Sequence, residues 1–248
     1  MVEMEKIAYC ILLYGVPYFR DAVEAIYPQV DKIYIFYASG PSQGFQTALT
    51  NPDTEKELKD SVAPFMDKIE WVTGDWKYEG EHTEAINQFT KGYDWKIRFD
   101  SDEIYPPGAV DYFIKQMKER NCQEGRLPFL HFWRSFNRVC RDAQHPIRIY
   151  NLTGGNGFCF LEADDRYRVY HMGYAMPTKY IEYKMQVQAH KPEWRPEWFT
   201  EIWLKNAQEN IHPVSFLPTP LWNAEEFPLD KLPIILKKHP YYGKKKIE

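Results

Sequence analysis

The sequence lacks any apolar run approaching the roughly 20 residues needed to span a bilayer. Its opening, MVEMEKIAYCILLYG, places glutamates ahead of a short apolar stretch, which matches neither a signal peptide nor a membrane anchor. The expected location is therefore cytoplasmic. None of the four cysteines forms a C-x-x-C pair, so a zinc ribbon is not expected. Cys10 and Cys159 fall in apolar runs and read as small core residues, in keeping with a reducing compartment. Excess positive charge is also lacking: 31 Lys and Arg stand against 35 Asp and Glu, for a net charge of −4. That excludes a chain coated with cations for wrapping duplex DNA. No internal repeat, low-complexity tract or linker is visible, so residues 1–248 read as one domain with two halves, about 1–110 and 111–248.

Aromatic residues, at 17%, are abundant. They fill cores, and they also supply flat apolar surfaces with polar tips that bind sugars and bases. Seven arginines (Arg126, Arg134, Arg138, Arg141, Arg148, Arg166 and Arg168) crowd one stretch, which suits an anionic ligand. The lysines near the end read as a solvated tail.

Hydrophobic patterning alternates between strand and helix. Residues 6–14 and 31–37 are almost uniformly apolar and β-rich, as expected of strands buried on both faces. A glycine-proline break and a short helix over 18–26 separate them. Asp53-Thr54 is a cap for a helix over 55–66, followed by a strand over 68–73, a helix over 83–91 and a strand over 94–99. This rhythm predicts an α/β fold with a mixed, mainly parallel, Rossmann-like sheet flanked by helices. A helix over 107–120 follows. The remainder predicts short strands over 126–136, 146–150, 157–161 and 167–172, then helices over 178–188, 196–208 and 229–238. This C-terminal half is more antiparallel and aromatic.

The most informative stretch is Asp100-Ser101-Asp102-Glu103, placed where an apolar strand stops. Ligands of open α/β sheets bind at the carboxyl ends of strands. Carboxylates two residues apart in a turn can converge on a hard divalent cation such as Mg²⁺ or Mn²⁺. Such a cation neutralises a departing diphosphate.

WKIRFDSDEIYPP resembles the D-x-D segment of GT-A fold glycosyltransferases, in particular family-2-like enzymes. KIAYCILLYGVPYFRDAVEAIYPQVDKIYIF resembles their first β-α-β unit. The resemblance covers residues 6–110 well and the rest through scattered features. It implies a GT-A fold and a nucleotide-sugar-dependent hexosyltransferase, with a UDP-sugar the first expectation for the donor and Mn²⁺ or Mg²⁺ as cofactor. It places Tyr14, Gly15, Tyr37, Ser39, Asp75, Asp100 and Ser101 against the nucleotide-sugar, and Lys179 against its diphosphate. It assigns Asp100, Asp102 and His171 to the metal. An inverting enzyme takes a base from an acid beyond the D-x-D, and Glu162, Asp164 and Asp165 occupy that part of the chain, with Asp142 as another possibility. His190 and His212 read as loop residues.

A glycan is the default acceptor, docked on Trp194, Trp198, Trp203 and the segment His131-Phe132-Trp133-Arg134. Arginines beside aromatics also suit a hydroxylated DNA base. Two further readings stand: a nucleotidyltransferase, and a non-catalytic carbohydrate- or nucleic-acid-binding module. Against the former, Gly15-Val16-Pro17-Tyr18 is a poor phosphate cradle, because proline lacks an amide donor.

Overall fold

The computed structural model describes residues 4–141, 145–205, 213–214 and 223–248. Asp142 and His212 lie outside these. Strand β1 (Lys6–Leu12), helix α1 (Val16–Ile26), β2 (Lys32–Ala38), α2 (Glu55–Ser61), β3 (Ile69–Gly74), α3 (Glu79–Glu84) and β4 (Trp95–Arg98) follow in alternation. After them come β5 (Glu103–Ile104), α4 (Ala109–Arg120), β6 (Glu124–Arg126), β7 (Phe129–Trp133), β8 (Arg138–Cys140), β9 (Ile147–Asn151) and β10 (Phe158–Phe160). The chain finishes with β11 (Val169–Tyr174), α5 (Thr178–Val187), β12 (Ala224–Glu226) and α6 (Ile234–Lys237).

The strands form two sheets. The larger runs β10-β6-β9-β4-β1-β2-β3. Its β4-β1-β2-β3 portion is parallel, and β9 is the antiparallel intruder between β4 and β6. The expected mixed, mainly parallel sheet flanked by helices is what forms. Its central strands bury nearly every residue, because helices cover both faces. Helix α1 buries Tyr18, Phe19, Ala22, Val23 and Ile26, an apolar stripe at helical spacing. Helix α2 starts on the expected Thr54 cap, whose side chain and that of Glu57 satisfy each other's backbone amides.

The smaller sheet runs β12-β8-β7-β11-β5. The expected single strand over 126–136 is two strands in different sheets: Arg126 closes β6 in the large sheet, and Phe129 opens β7 in the small one. Pro128 lies at the crossing, where a residue without an N–H breaks a ladder at least cost. The helix expected over 83–91 begins earlier, at Glu79, and tightens into a 3₁₀ turn over Ala85–Phe89.

Two expectations are corrected by packing. Cys159 is not a free core thiol: it is disulfide-bonded to Cys122, with Cα atoms 6.0 Å apart, while Cys10 and Cys140 are buried. The cysteines thus give no support to a reducing compartment. The tryptophans expected to face an acceptor are core residues. Trp133, Trp194, Trp198 and Trp203 are all buried, and Trp133 packs edge-on against both Trp198 and Trp203. Among the described residues, no helix is long and apolar enough to cross a membrane.

Candidate functional site

β1 has β2 on one side and β4 on the other, so the chain order reverses at the carboxyl ends of β1 and β4. An open α/β sheet has its crevice at such a switch point. Here the two strand ends are tied together. Ser101 Oγ donates to the Tyr14 carbonyl at 3.0 Å. A Cβ on Gly15, whose φ is +140°, would lie 2.2 Å from that same oxygen, so only glycine fits. Asp53 completes the support: its carboxylate accepts from the amides of Gly15 and Val16 at 2.7 and 2.9 Å and from the Tyr180 hydroxyl at 2.5 Å.

The acidic turn is also where the chain leaves one sheet for the other. β4 ends at Arg98, and Glu103 opens β5, which pairs antiparallel with β11 so that Glu103 faces His171 in register. A cleft of about 670 Å³ opens at this junction. Its acidic lining is Glu79, Asp100, Asp102 and Glu103. Its basic lining is Arg98, Arg126, Arg148 and Lys184, with four histidines besides. The formal charges cancel, so a bound cation would leave the cleft positive and suited to a diphosphate.

The carboxylates are used differently. Arg148 grips Glu103 through Nε at 3.0 Å and through Nη2 at 2.6 Å, and the same Nη2 reaches Asp100 at 2.8 Å. Arg98 holds the other Asp100 oxygen at 3.3 Å and bonds Glu79 at 3.0 Å. Burial pushes the Asp100 carboxyl up, but Arg148 and Arg98 outweigh it and hold it well below the usual range. Burial lifts Glu103 to about 7, against the pull of Arg148 and with the help of Asp100. Asp102 has no such clamp. Its Oδ1 lies 3.7 Å from His171 Nε2, and its Oδ2 lies 3.7 Å from Lys184 Nζ. Burial raises its carboxyl, Lys184 works against that, and Asp100 adds to it.

His171 is oriented from behind. His131, its register partner on β7, meets it Nδ1 to Nδ1 at 2.8 Å. One imidazole must donate and the other accept. Gly173 has no room for a side chain: a Cβ there would sit 2.6 Å from His171 Nε2 and 2.8 Å from Asp102 Oδ2.

Of the residues expected at the site, Tyr14, Asp100, Ser101, Asp102 and His171 line this cleft, and Gly15 backs it. Tyr37 is buried against Trp71, and Ser39 and Asp75 are exposed; none of the three lines it. Lys179 points away, its Nζ 3.5 Å from the Pro52 carbonyl. Lys184, further along the same helix, is the lysine that enters the cleft. Glu162, Asp164 and Asp165 also lie outside it. Asp164 is taken by Arg166 at 2.7 Å, and Asp165 by Arg141 at 2.7 and 2.9 Å. Sequence reasoning missed Arg98 and Lys184 as cleft residues, and it points to Arg148 only as one of an arginine cluster and to His131 only as part of an acceptor surface. Arg98 could have been found, since on a strand a residue two before Asp100 shares its face. The others reach the turn only through tertiary pairing.

Among the described residues no group of three His, Cys, Asp or Glu side chains is gathered as a closed metal site. Asp102 and His171 do fit two corners of an open one. Oxygen and imidazole nitrogen suit Mn²⁺. Ligands each about 2.1 Å from one ion stand roughly 3–4 Å apart, as Asp102 Oδ1 and His171 Nε2 do at 3.7 Å.

No protein-family profile matches the chain, and no curated protein matches it in sequence. Solved structures match it in part. TarS 1–349 of S. aureus aligns with 72% of this chain and 63% of its own, at 8% identity and a TM-score of 0.45. The mannosyltransferase PcManGT from Pyrobaculum calidifontis, in complex with GDP-Man and Mn²⁺, aligns with 66% of this chain and 59% of its own, at 7% identity and a TM-score of 0.44. A 4-diphosphocytidyl-2C-methyl-D-erythritol synthase aligns with 67% of this chain and 92% of its own, at 11% identity and a TM-score of 0.41. The chain thus spans less than two thirds of TarS and PcManGT. Such scores describe partial overlap of backbones and say nothing about side chains.

Proposed function

We propose that the chain is a metal-assisted glycosyltransferase of the GT-A type, which moves a hexose from a nucleotide-sugar to an acceptor hydroxyl. The observation that carries this reading is the convergence of Asp102, His171 and Lys184 at the switch point of the sheet. Asp102 and His171 would hold a divalent cation, Mn²⁺ or Mg²⁺. When bound, that cation neutralises charge on the departing diphosphate.

This chain's own residues do the rest. The His131–His171 hydrogen bond fixes the ring of His171 and leaves its Nε2 facing Asp102. Lys184 brings a fixed positive charge to the side of Asp102 away from His171, where a phosphate oxygen is to be met. Asp100 and Glu103, neutralised by Arg98 and Arg148, hold the shape of the turn and leave Asp102 as its free corner. Tyr14, at the end of β1, offers a ring at the cleft wall for the base. A UDP-sugar is the donor proposed first. The expected acids Glu162, Asp164 and Asp165 would act as base only if acceptor binding brought them to the cleft. A retaining reaction needs none of them.

The test is thermal stability against UDP-, GDP-, dTDP- and CMP-sugars with and without Mn²⁺. A ligand that binds only the folded state raises Tm by mass action. One nucleotide-sugar should stabilise the protein in a Mn²⁺-dependent way, and Asp102→Ala should lose that response. Stabilisation by nucleoside triphosphates instead, with none from any nucleotide-sugar, would move the reading to nucleotidyl transfer.

A further inference from the structure

The two most exposed aromatic residues among those described stand side by side. Phe158 and Phe160 are 56% and 54% exposed, on the short strand β10. Their rings meet edge-on at 5.7 Å. The residue between them, Cys159, points the other way and is bonded to Cys122, so the strand is stapled from beneath. Arg126, the register partner of Phe160 on β6, lays its guanidinium carbon 4.9 Å from the Phe158 ring and 5.7 Å from the Phe160 ring. Its Nη1 donates to the His145 carbonyl at 3.2 Å, and its buried Nε has no hydrogen-bond partner among the described residues. Phe160, Arg126 and His145 line the same cleft as Asp100 and Asp102.

We infer that Phe158, Phe160 and Arg126 form a recognition platform for an anionic sugar, the acceptor in the proposed reaction. Two rings without a polar group offer faces for the C–H side of a pyranose. The guanidinium, beside both rings, offers donors to a carboxylate or phosphate on that sugar. A single-stranded nucleic acid fits less well: one arginine does not follow a phosphate backbone, and the chain's net charge is −4. Calling this sugar an acceptor rests on the transferase reading. Sugar binding is therefore measured without donor or metal, so that its failure and a failure of donor binding are read separately.

The experiment is saturation-transfer NMR on the full chain with glucose, glucuronate and glucose 6-phosphate, each alone, and with an oligothymidylate. The variants are Phe160→Ala, Phe158→Ala and Arg126→Gln. The first two alter half-exposed side chains, and a preserved Tm checks that each variant is folded. One or both anionic sugars should bind roughly tenfold tighter than glucose, a difference worth about 1.4 kcal/mol. Arg126→Gln should erase that preference, and Phe160→Ala should weaken all sugar binding by about tenfold. Glucuronate against glucose 6-phosphate tells a carboxylate from a phosphate. The inference is overturned if no sugar binds, if glucose binds as well as its anionic relatives, or if Phe160→Ala changes nothing. It is equally overturned if the oligothymidylate alone binds, or if sedimentation shows that Phe158 and Phe160 are covered by a second copy of the chain.

Discussion

Asp100 and Asp102 stand two residues apart in one turn and in opposite surroundings. The Asp100 side faces the large sheet. There Arg98 and Arg148 occupy both of its oxygens, and Glu103 is buried against the same Arg148. The Asp102 side faces the small sheet, where His171 and Lys184 each stand 3.7 Å from the carboxylate. The two halves of the turn have divided their work: one side is spent on holding the shape, and the other is held open. A D-x-D written in sequence looks like two equivalent ligands, and the fold makes them inequivalent.

The largest effect is expected from removing the open corner. Asp102→Asn should abolish the Mn²⁺-dependent response to nucleotide-sugar while leaving Tm unchanged or raised, because burial already disfavours that carboxylate's charge. A differential scanning measurement on both states checks it. Breaking the paired side should do the reverse. Arg148→Met strands Glu103 in the interior without its partner, at a cost of about 3–5 kcal/mol, seen as a lowered midpoint in urea.

The scaffold side also makes a pH prediction. His82 is buried, stacked on Trp76 at 4.2 Å, and burial lowers its pKa to about 4. Its Nε2 faces the Phe36 carbonyl, which can only accept, so Nε2 donates and Nδ1 accepts from Ser42. The folded protein therefore keeps this ring neutral while the unfolded chain protonates it near 6.5. Stability from His82 is present above pH 6.5 and is lost as pH falls to about 4, by about 3 kcal/mol at most. Urea midpoints across that window, flattened in a folded His82→Gln variant, would show it. The smallest effect is at the hinge between the two strand ends. Gly15→Ala should cost about 1–3 kcal/mol, relieved in part by Ser101→Gly, which removes the oxygen that a new Cβ would strike. A double-mutant cycle reads the relief directly.

The parallel sheet was legible in the sequence because its central strands are apolar runs separated by helical segments, one of them opened by the Thr54 cap. The position of Asp100 was legible because such a run stops there. Partners contributed by other strands were not. Arg148 sits on β9, an antiparallel strand inserted beside β4, and nothing in its local pattern says that it will reach Glu103. Lys179 and Lys184 are both lysines of one helix, and helical periodicity alone does not say which one faces a cleft lying off its end. Tryptophans in a proline-rich segment read as a binding surface, but the largest apolar side chains are also the ones that gain most from burial, and burial won. The Cys122–Cys159 bond went unread because its cysteines lie 37 residues apart with no spacing signal.

The most direct test is Mn²⁺ binding by electron paramagnetic resonance on the wild-type chain, Asp102→Asn and Asp100→Asn, each in the presence of the stabilising nucleotide-sugar. Bound Mn²⁺ should be lost in Asp102→Asn and retained in Asp100→Asn. Retention in Asp102→Asn together with loss in Asp100→Asn would reverse the roles assigned to the two sides of the turn and contradict the account.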